Sequence, residues 1–193
     1  MKTLIHFHPD GKYAQKFIEP LRETERKQGF SSLLVNCTNN KKTDYQIDFR
    51  IKISNILMLP FRIVMLFSFI HRNKPQIVFC HNSTTAYFPL LISRLLGVKK
   101  IIYFNHGVPF IAYSGILKFI LYYIEKFNCL LCKEVITVSY SMKRILSKVS
   151  SKKINILFNG SACGLILKKF NTSLANIKYL KNQMNFSAND KII

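Results

Sequence analysis

Apolar and polar positions follow two rhythms along the chain. Short runs of strand character cover Thr3–Phe7, Ser32–Cys37, Gln46–Ile53, Gln76–Cys80, Lys100–Phe104, Glu134–Val138 and Ile154–Phe158. Longer stretches with helical spacing lie between them. Tyr13, Phe17 and Leu21 recur on one helical face, which predicts a helix over 13–27, with Pro20 kinking it or sitting in the first turn of its second part, and a stop at Gly29. Thr38–Asp44 is polar and reads as a loop. Leu57–His71, Thr84–Leu96, Gly115–Cys132 and Ser141–Lys148 predict further helices. Gln76–Cys80 is largely apolar, as a strand covered on both faces must be.

This alternation predicts an α/β domain with a doubly wound, Rossmann-like parallel sheet and right-handed crossovers. After Phe170 the pattern changes. Ser173–Met184 is a polar helix-like segment, and Asp190–Ile193 reads as an opening strand. The expected division is one domain over 1–170 and the start of a second over 171–193.

Composition fits this picture and adds charge. The chain has 193 residues, 49% of them hydrophobic, which suits a sizeable core and rules against disorder. Its formal net charge is +20. No acid occurs from Phe49 through Ile124, and none from Val135 to Asn189. Such a field favours an anionic membrane surface, nucleic acid or a polyphosphate substrate, although a general lysine-rich bias also accounts for it. The basic residues are dispersed and no nucleic-acid motif is present, so nucleic acid is not an expected partner.

The five cysteines, Cys37, Cys80, Cys129, Cys132 and Cys163, are odd in number, and no secretory leader precedes them. A reducing cytoplasm is the expected compartment. The most apolar stretch, Ile56–Ile70, is broken by Pro60 and Arg62 and falls short of the roughly 20 residues a span needs. Contact with a membrane face, on the inner side of the cell membrane, is expected in place of a crossing.

In a doubly wound sheet, ligands bind beyond the carboxyl ends of the strands. The relevant loops read His6-Phe7-His8-Pro9-Asp10-Gly11, Cys80-His81-Asn82-Ser83 and Asn105-His106-Gly107-Val108-Pro109. Four of the five histidines sit there. A lone histidine is usually a satisfied structural residue, but histidines at neighbouring strand ends line one cleft and suit hydrogen-bond or proton work. Gly107 beside His106 lets a ligand approach the backbone closely. His6 and His8 could share a face, but Asp10 is the only nearby carboxylate, too few ligands for zinc. Neither a metal nor a cofactor is expected. Cys129-Leu130-Leu131-Cys132 closes an apolar helix and reads as core. There is no dinucleotide fingerprint and no P-loop. Asn159-Gly160-Ser161 offers only a flexible turn.

Four ordered segments carry a resemblance. They are Pro75-Gln76-Ile77-Val78 leading to His81-Asn82, Ile101–Gly107, Glu134–Ser139, and Ile156–Phe170 with its Asn-Gly turn and a phenylalanine about ten residues on. In these the chain resembles the N-terminal domain of family 4 glycosyltransferases of the bacterial surface-polysaccharide type. The resemblance spans nearly the whole chain. It implies the GT-B architecture, two Rossmann-like domains facing a cleft, of which this would be the acceptor-side half.

It also implies retaining glycosyl transfer without a metal. His106 would hydrogen-bond the donor sugar as the catalytic-site residue, and Gly11, beside Asp10, would lie near the donor phosphates. His81, Asn82, Gly107, Ser139, Asn159 and Gly160 would line the cleft or hinge. The partners implied are a nucleotide-sugar donor, held by a C-terminal domain, and a saccharide or lipid-linked acceptor. The Glu-x7-Glu donor element of the family has no counterpart here, since Glu125 and Glu134 are nine apart. The chain is therefore expected to be inactive without the donor half, and a non-catalytic module for acceptor or membrane is the alternative. Phe110–Leu131, aromatic with Lys118 and Lys126, reads equally as a membrane-interface helix or a core helix.

Overall fold

Seven strands, all parallel, build a single sheet in the order β3-β2-β1-β4-β5-β6-β7. The structure is a computed structural model and describes residues 2–38, 43–50, 57–157 and 160. The strands are β1 (Lys2–His8), β2 (Phe30–Asn36), β3 (Tyr45–Gln46), β4 (Ile77–His81), β5 (Lys100–Asn105), β6 (Glu134–Thr137) and β7 (Ile154–Ile156). The helices are α1 (Gly11–Phe17), α2 (Glu19–Lys27), α3 (Leu59–Asn73), α4 (Ser83–Leu95), α5 (Gly115–Leu131) and α6 (Tyr140–Leu146), with a 3₁₀ turn at Pro109–Ala112. The doubly wound Rossmann-like reading is therefore correct.

The chain winds outward from β1 through β2 to β3, then returns to β1's other side as β4. Ile5 pairs with Val78 there, and His6 with Phe79. That reversal makes the β1/β4 boundary the switch point of the sheet. Buried Ile5, Phe7, Val35, Val78, Ile101 and Val135 carry the apolar core across the central strands.

The helix over 13–27 is two helices, parted at Ile18, with Pro20 in the first turn of α2, the second of its two expected placements, where its missing N–H breaks no helical bond. Two elements differ from their sequence reading. The third strand stops at Gln46. Beyond it the Arg50 N–H donates to Asp48 Oδ1 at 3.2 Å, so local side-chain bonding replaces the sheet ladder. Ile47 and Phe49 still bury their side chains. The sixth helix ends at Leu146. The remainder of the expected third strand at 51–53, Phe158, Asn159, Cys163, the segment 173–184 and the strand at 190–193 lie outside the described residues.

Helix α5 has an inverted character. Its inward face carries Leu121, Glu125, Asn128 and Cys129, all buried. Its outward face exposes Ile116, Phe119, Ile120, Tyr123, Phe127 and Leu130. Two polar groups, Glu125 and Asn128, thus face the protein, while large apolar side chains face out. No helix among the described residues is long and apolar enough to cross a membrane.

Candidate functional site at the switch point

A pocket of about 440 Å³ opens at the carboxyl ends of β1, β4 and β5. Its lining comes from three loops: His8, Pro9, Asp10 and Tyr13; Asn82 and Ser83; His106, Gly107, Val108 and Pro109. Topology explains the convergence, because parallel strands deliver all their carboxyl ends to one edge.

The sequence-derived residues divide on inspection. Asp10, Asn82, His106 and Gly107 line the pocket. Asp10 also caps α1, accepting from the Lys12 N–H at 2.8 Å. A Cβ on Gly107 would meet open space, so the fold does not require glycine there; the space belongs to the pocket. Gly11 is buried beside the pocket, its N–H donating to Thr38 Oγ1 at 3.1 Å. Ser139 lies outside the lining and accepts from the Met142 N–H at 3.2 Å as the cap of α6. Gly160, at φ +93°, packs against this turn, where a Cβ would come within 3.3 Å of the Val138 carbonyl. Asn159 is outside the described residues.

His81 is not on the pocket surface but behind it. His81 Nε2 lies 3.1 Å from His6 Nδ1, and His81 Nδ1 lies 3.1 Å from His106 Nε2. His6 Nε2 in turn lies 3.0 Å from Glu25 Oε2. Ser32 donates to the same carboxylate oxygen at 2.7 Å. The result is a continuous buried row, Glu25–His6–His81–His106, running from α2 through β1 and β4 to the pocket wall. His8 stands beside it, stacked on Tyr13 with ring centroids 5.1 Å apart, its Nδ1 held to the Asp10 backbone.

Electrostatics keeps these rings neutral. Burial lowers the pKa of His6, with Glu25 only partly offsetting it. His81 is pushed well below the ordinary range by burial and then by the neighbouring rings. His106 is lowered to about 4, by burial and then by His8. For Glu25, burial raises the carboxyl, but His6, Ser32 and Arg22 outweigh it and the net shift is downward.

A second buried carboxylate supports the floor. Glu125 of α5 accepts from Tyr103 Oη and Asn105 Nδ2, each at 2.8 Å, and from Ser83 Oγ. Asn128, one turn on, donates to the Ser83 carbonyl at 2.7 Å. Together these tie the end of β5 and the start of α4 to one helix. Asn82, directly above, adopts φ 74° and ψ 143°, a region that ordinarily belongs to glycine. Such strain, of about 1–3 kcal/mol, collects where ligands bind.

Sequence reasoning missed Glu25, Ser32, Tyr103 and Glu125 as parts of this site. Glu125 carried a signal, since it is the first acid after Asp48 and the one acid on a long, mostly apolar helix. Among the described residues no group of His, Cys, Asp and Glu is placed to hold a metal ion.

The fold and the crevice at its switch point define a Rossmann-like domain of the GT-B type. Sucrose-phosphate synthase from Thermosynechococcus elongatus superposes with a TM-score of 0.70 at 11% identity, covering 98% of this chain and 54% of that one. The UDP-GlcNAc 2-epimerase of Neisseria meningitidis bound to UDP-GlcNAc gives 0.63 at 15% identity, covering 99% and 55%. Anabaena HepE in complex with UDP-glucose gives 0.61 at 12% identity, covering 96% and 50%. The chain thus spans about half the length of these structures. At such identities the likeness is one of fold. No curated protein matches the chain significantly. The sequence profile of Glycosyltransferase Family 4 matches residues 22–161, and the chain belongs to that family.

Proposed function

We propose that this chain is the acceptor-side domain of a hexosyltransferase, which moves a sugar from a nucleotide-sugar to a saccharide acceptor. The observation that carries the reading is the pocket at the switch point, where His106 and Gly107 meet Asp10, Tyr13 and Asn82. The HepE complex with UDP-glucose and the epimerase complex with UDP-GlcNAc support a nucleotide-sugar as the donor. A second Rossmann-like domain would hold that donor, which fits a chain spanning half of its structural neighbours. The transfer proceeds with retention, and His106 hydrogen-bonds the sugar in the cleft, with Gly11 beside the pocket, His81 behind the ring and the Ser139–Gly160 turn at the hinge.

The acceptor is lipid-linked and belongs to surface-polysaccharide synthesis on this reading. An apolar groove of about 460 Å³ runs between α4 and α5, lined by Tyr87, Ile116, Phe119, Ile120, Tyr123 and Phe127. With the net charge of +20 it suits peripheral attachment to the anionic inner face of the cell membrane. The same groove favours a second reading, a non-catalytic module that captures acceptor or membrane for a separate donor-domain chain.

The test is sugar transfer from a radiolabelled nucleotide-sugar to a lipid-linked saccharide, by this chain alone and with a family donor domain added. Turnover that needs both parts, and that drops about 100-fold in His106→Ala, supports the enzyme reading. Acceptor or vesicle binding with no turnover in either arm selects the module. Robust turnover by the chain alone overturns the half-enzyme assignment.

A further inference from the structure

The buried row of rings has a direction. A carboxylate only accepts, so the nitrogen facing Glu25, His6 Nε2, carries hydrogen. A neutral His6 then presents Nδ1 as a lone pair, and His81 Nε2, 3.1 Å away, must donate to it. That leaves His81 Nδ1 as an acceptor, and His106 Nε2, also at 3.1 Å, donates in turn. The row ends on His106 Nδ1 as a bare lone pair. This atom is buried and has no hydrogen-bond partner among the described residues, while the ring it belongs to lines the pocket.

The opposite direction requires a doubly protonated His6, with the N–H groups of all three rings turned toward the pocket. His6 is fully buried, and burial opposes that extra charge. Ser32 and Arg22 already satisfy and stabilise the carboxylate without it.

We propose that Glu25 is a positioning residue for the pocket: through His6 and His81 it fixes the His106 ring with Nδ1 unprotonated, as an acceptor for a hydroxyl of the bound sugar. A buried acceptor left without a donor is destabilising, and a ligand hydroxyl removes that penalty. A ligand offering only phosphate or carbonyl oxygens sets lone pair against lone pair and gains nothing. The direction of the row stands on the geometry together with the burial of His6; the identity of its ligand rests on the sugar-transfer reading above.

The test is long-range ¹H–¹⁵N correlation of the histidine rings in the full chain, labelled with ¹⁵N-histidine, at neutral pH. The expected pattern is protonated Nε2 and unprotonated Nδ1 in His6, His81 and His106. Protonated Nδ1 at His81 or His106, or a doubly protonated His6, overturns the proposal. Glu25→Met fills the space but offers His6 Nε2 no acceptor oxygen. It is expected to release the rings from the Nε2-protonated form, with protonated Nδ1 appearing in His6, His81 and His106. An unchanged pattern in that variant removes Glu25 from its role, and the wild-type spectrum decides the direction even should the variant not fold.

Addition of methyl α-glucoside then separates the two readings. Movement of the His106 Nδ1 signal, with exposed His71 unmoved, supports the hydroxyl acceptor. Movement of the His8 signals, from the same pocket lining, without His106 Nδ1 overturns the acceptor role. No movement anywhere overturns the sugar-binding reading of the pocket and leaves the ring pattern to stand by itself.

Discussion

Four histidines that bind protons poorly when folded make this domain acid-sensitive. His6, His8, His81 and His106 all have folded pKa values below 6.5, so between 6.5 and those values the unfolded chain binds more protons. Stability is therefore full above about pH 7 and falls as the pH drops through 6.5 toward 4. For His106, lowered to about 4, the loss on reaching pH 4 is about 3 kcal/mol at ~1.4 kcal/mol per unit. Glu25 adds to the loss at still lower pH, because its own value is lowered. Glu125 runs the other way, its raised carboxyl gaining stability under acid. Urea unfolding at pH 7.5 and pH 5 should show a lower midpoint at the acid value, and an equal midpoint would contradict the shifts. Asn82→Gly relieves the positive φ and should raise the melting temperature by a few degrees, about 1 kcal/mol. The same change should weaken sugar binding, because it removes a side chain from the pocket lining.

At the scale of elements, strands were more legible than the partners of the site. Strands whose flanking loops carry Gly, Pro or Asn announced themselves by short apolar runs. The histidines at their ends were visible for the same reason. Glu25 was not, because Glu23-Thr24-Glu25-Arg26-Lys27 reads as a solvated helix face. Packing of α2 on β2 turns two of its charges inward. Arg22 is buried, bonded to Glu19 at 2.6 Å, to the Ser32 carbonyl at 2.8 Å and to Asp44. Helix α5 misleads in the opposite sense. Its apolar content suggests a core, while its core face is where Glu125 and Asn128 sit. Removing that carboxylate by Glu125→Leu leaves the Ser83 and Tyr103 hydroxyls without their acceptor, while Asn105 keeps Tyr103 Oη at 2.9 Å, and should cost about 2–5 kcal/mol, read by chemical unfolding. Phe119→Glu with Ile120→Glu touches only the outer stripe. It should leave the melting temperature within a degree or two of the parent and abolish flotation on vesicles of anionic phospholipid. Flotation that persists, or that ignores lipid charge, would count against electrostatic docking through α5.

Among the described residues of the whole molecule, the pocket opens at the carboxyl ends of the strands, the row of rings runs back from its wall, and the outward apolar stripe lies along α5. Helix α5 joins two of them: Glu125 on its inner face holds Ser83 and Asn105 under the pocket, and Phe119 and Ile120 look out from its other face. Any coupling between two binding events at the two faces of one helix must be reciprocal. If an anionic bilayer tightens sugar binding by some factor, the sugar must tighten attachment to the bilayer by the same factor. An acceptor anchored in that bilayer would then recruit the domain most strongly to the patches of membrane that already carry substrate.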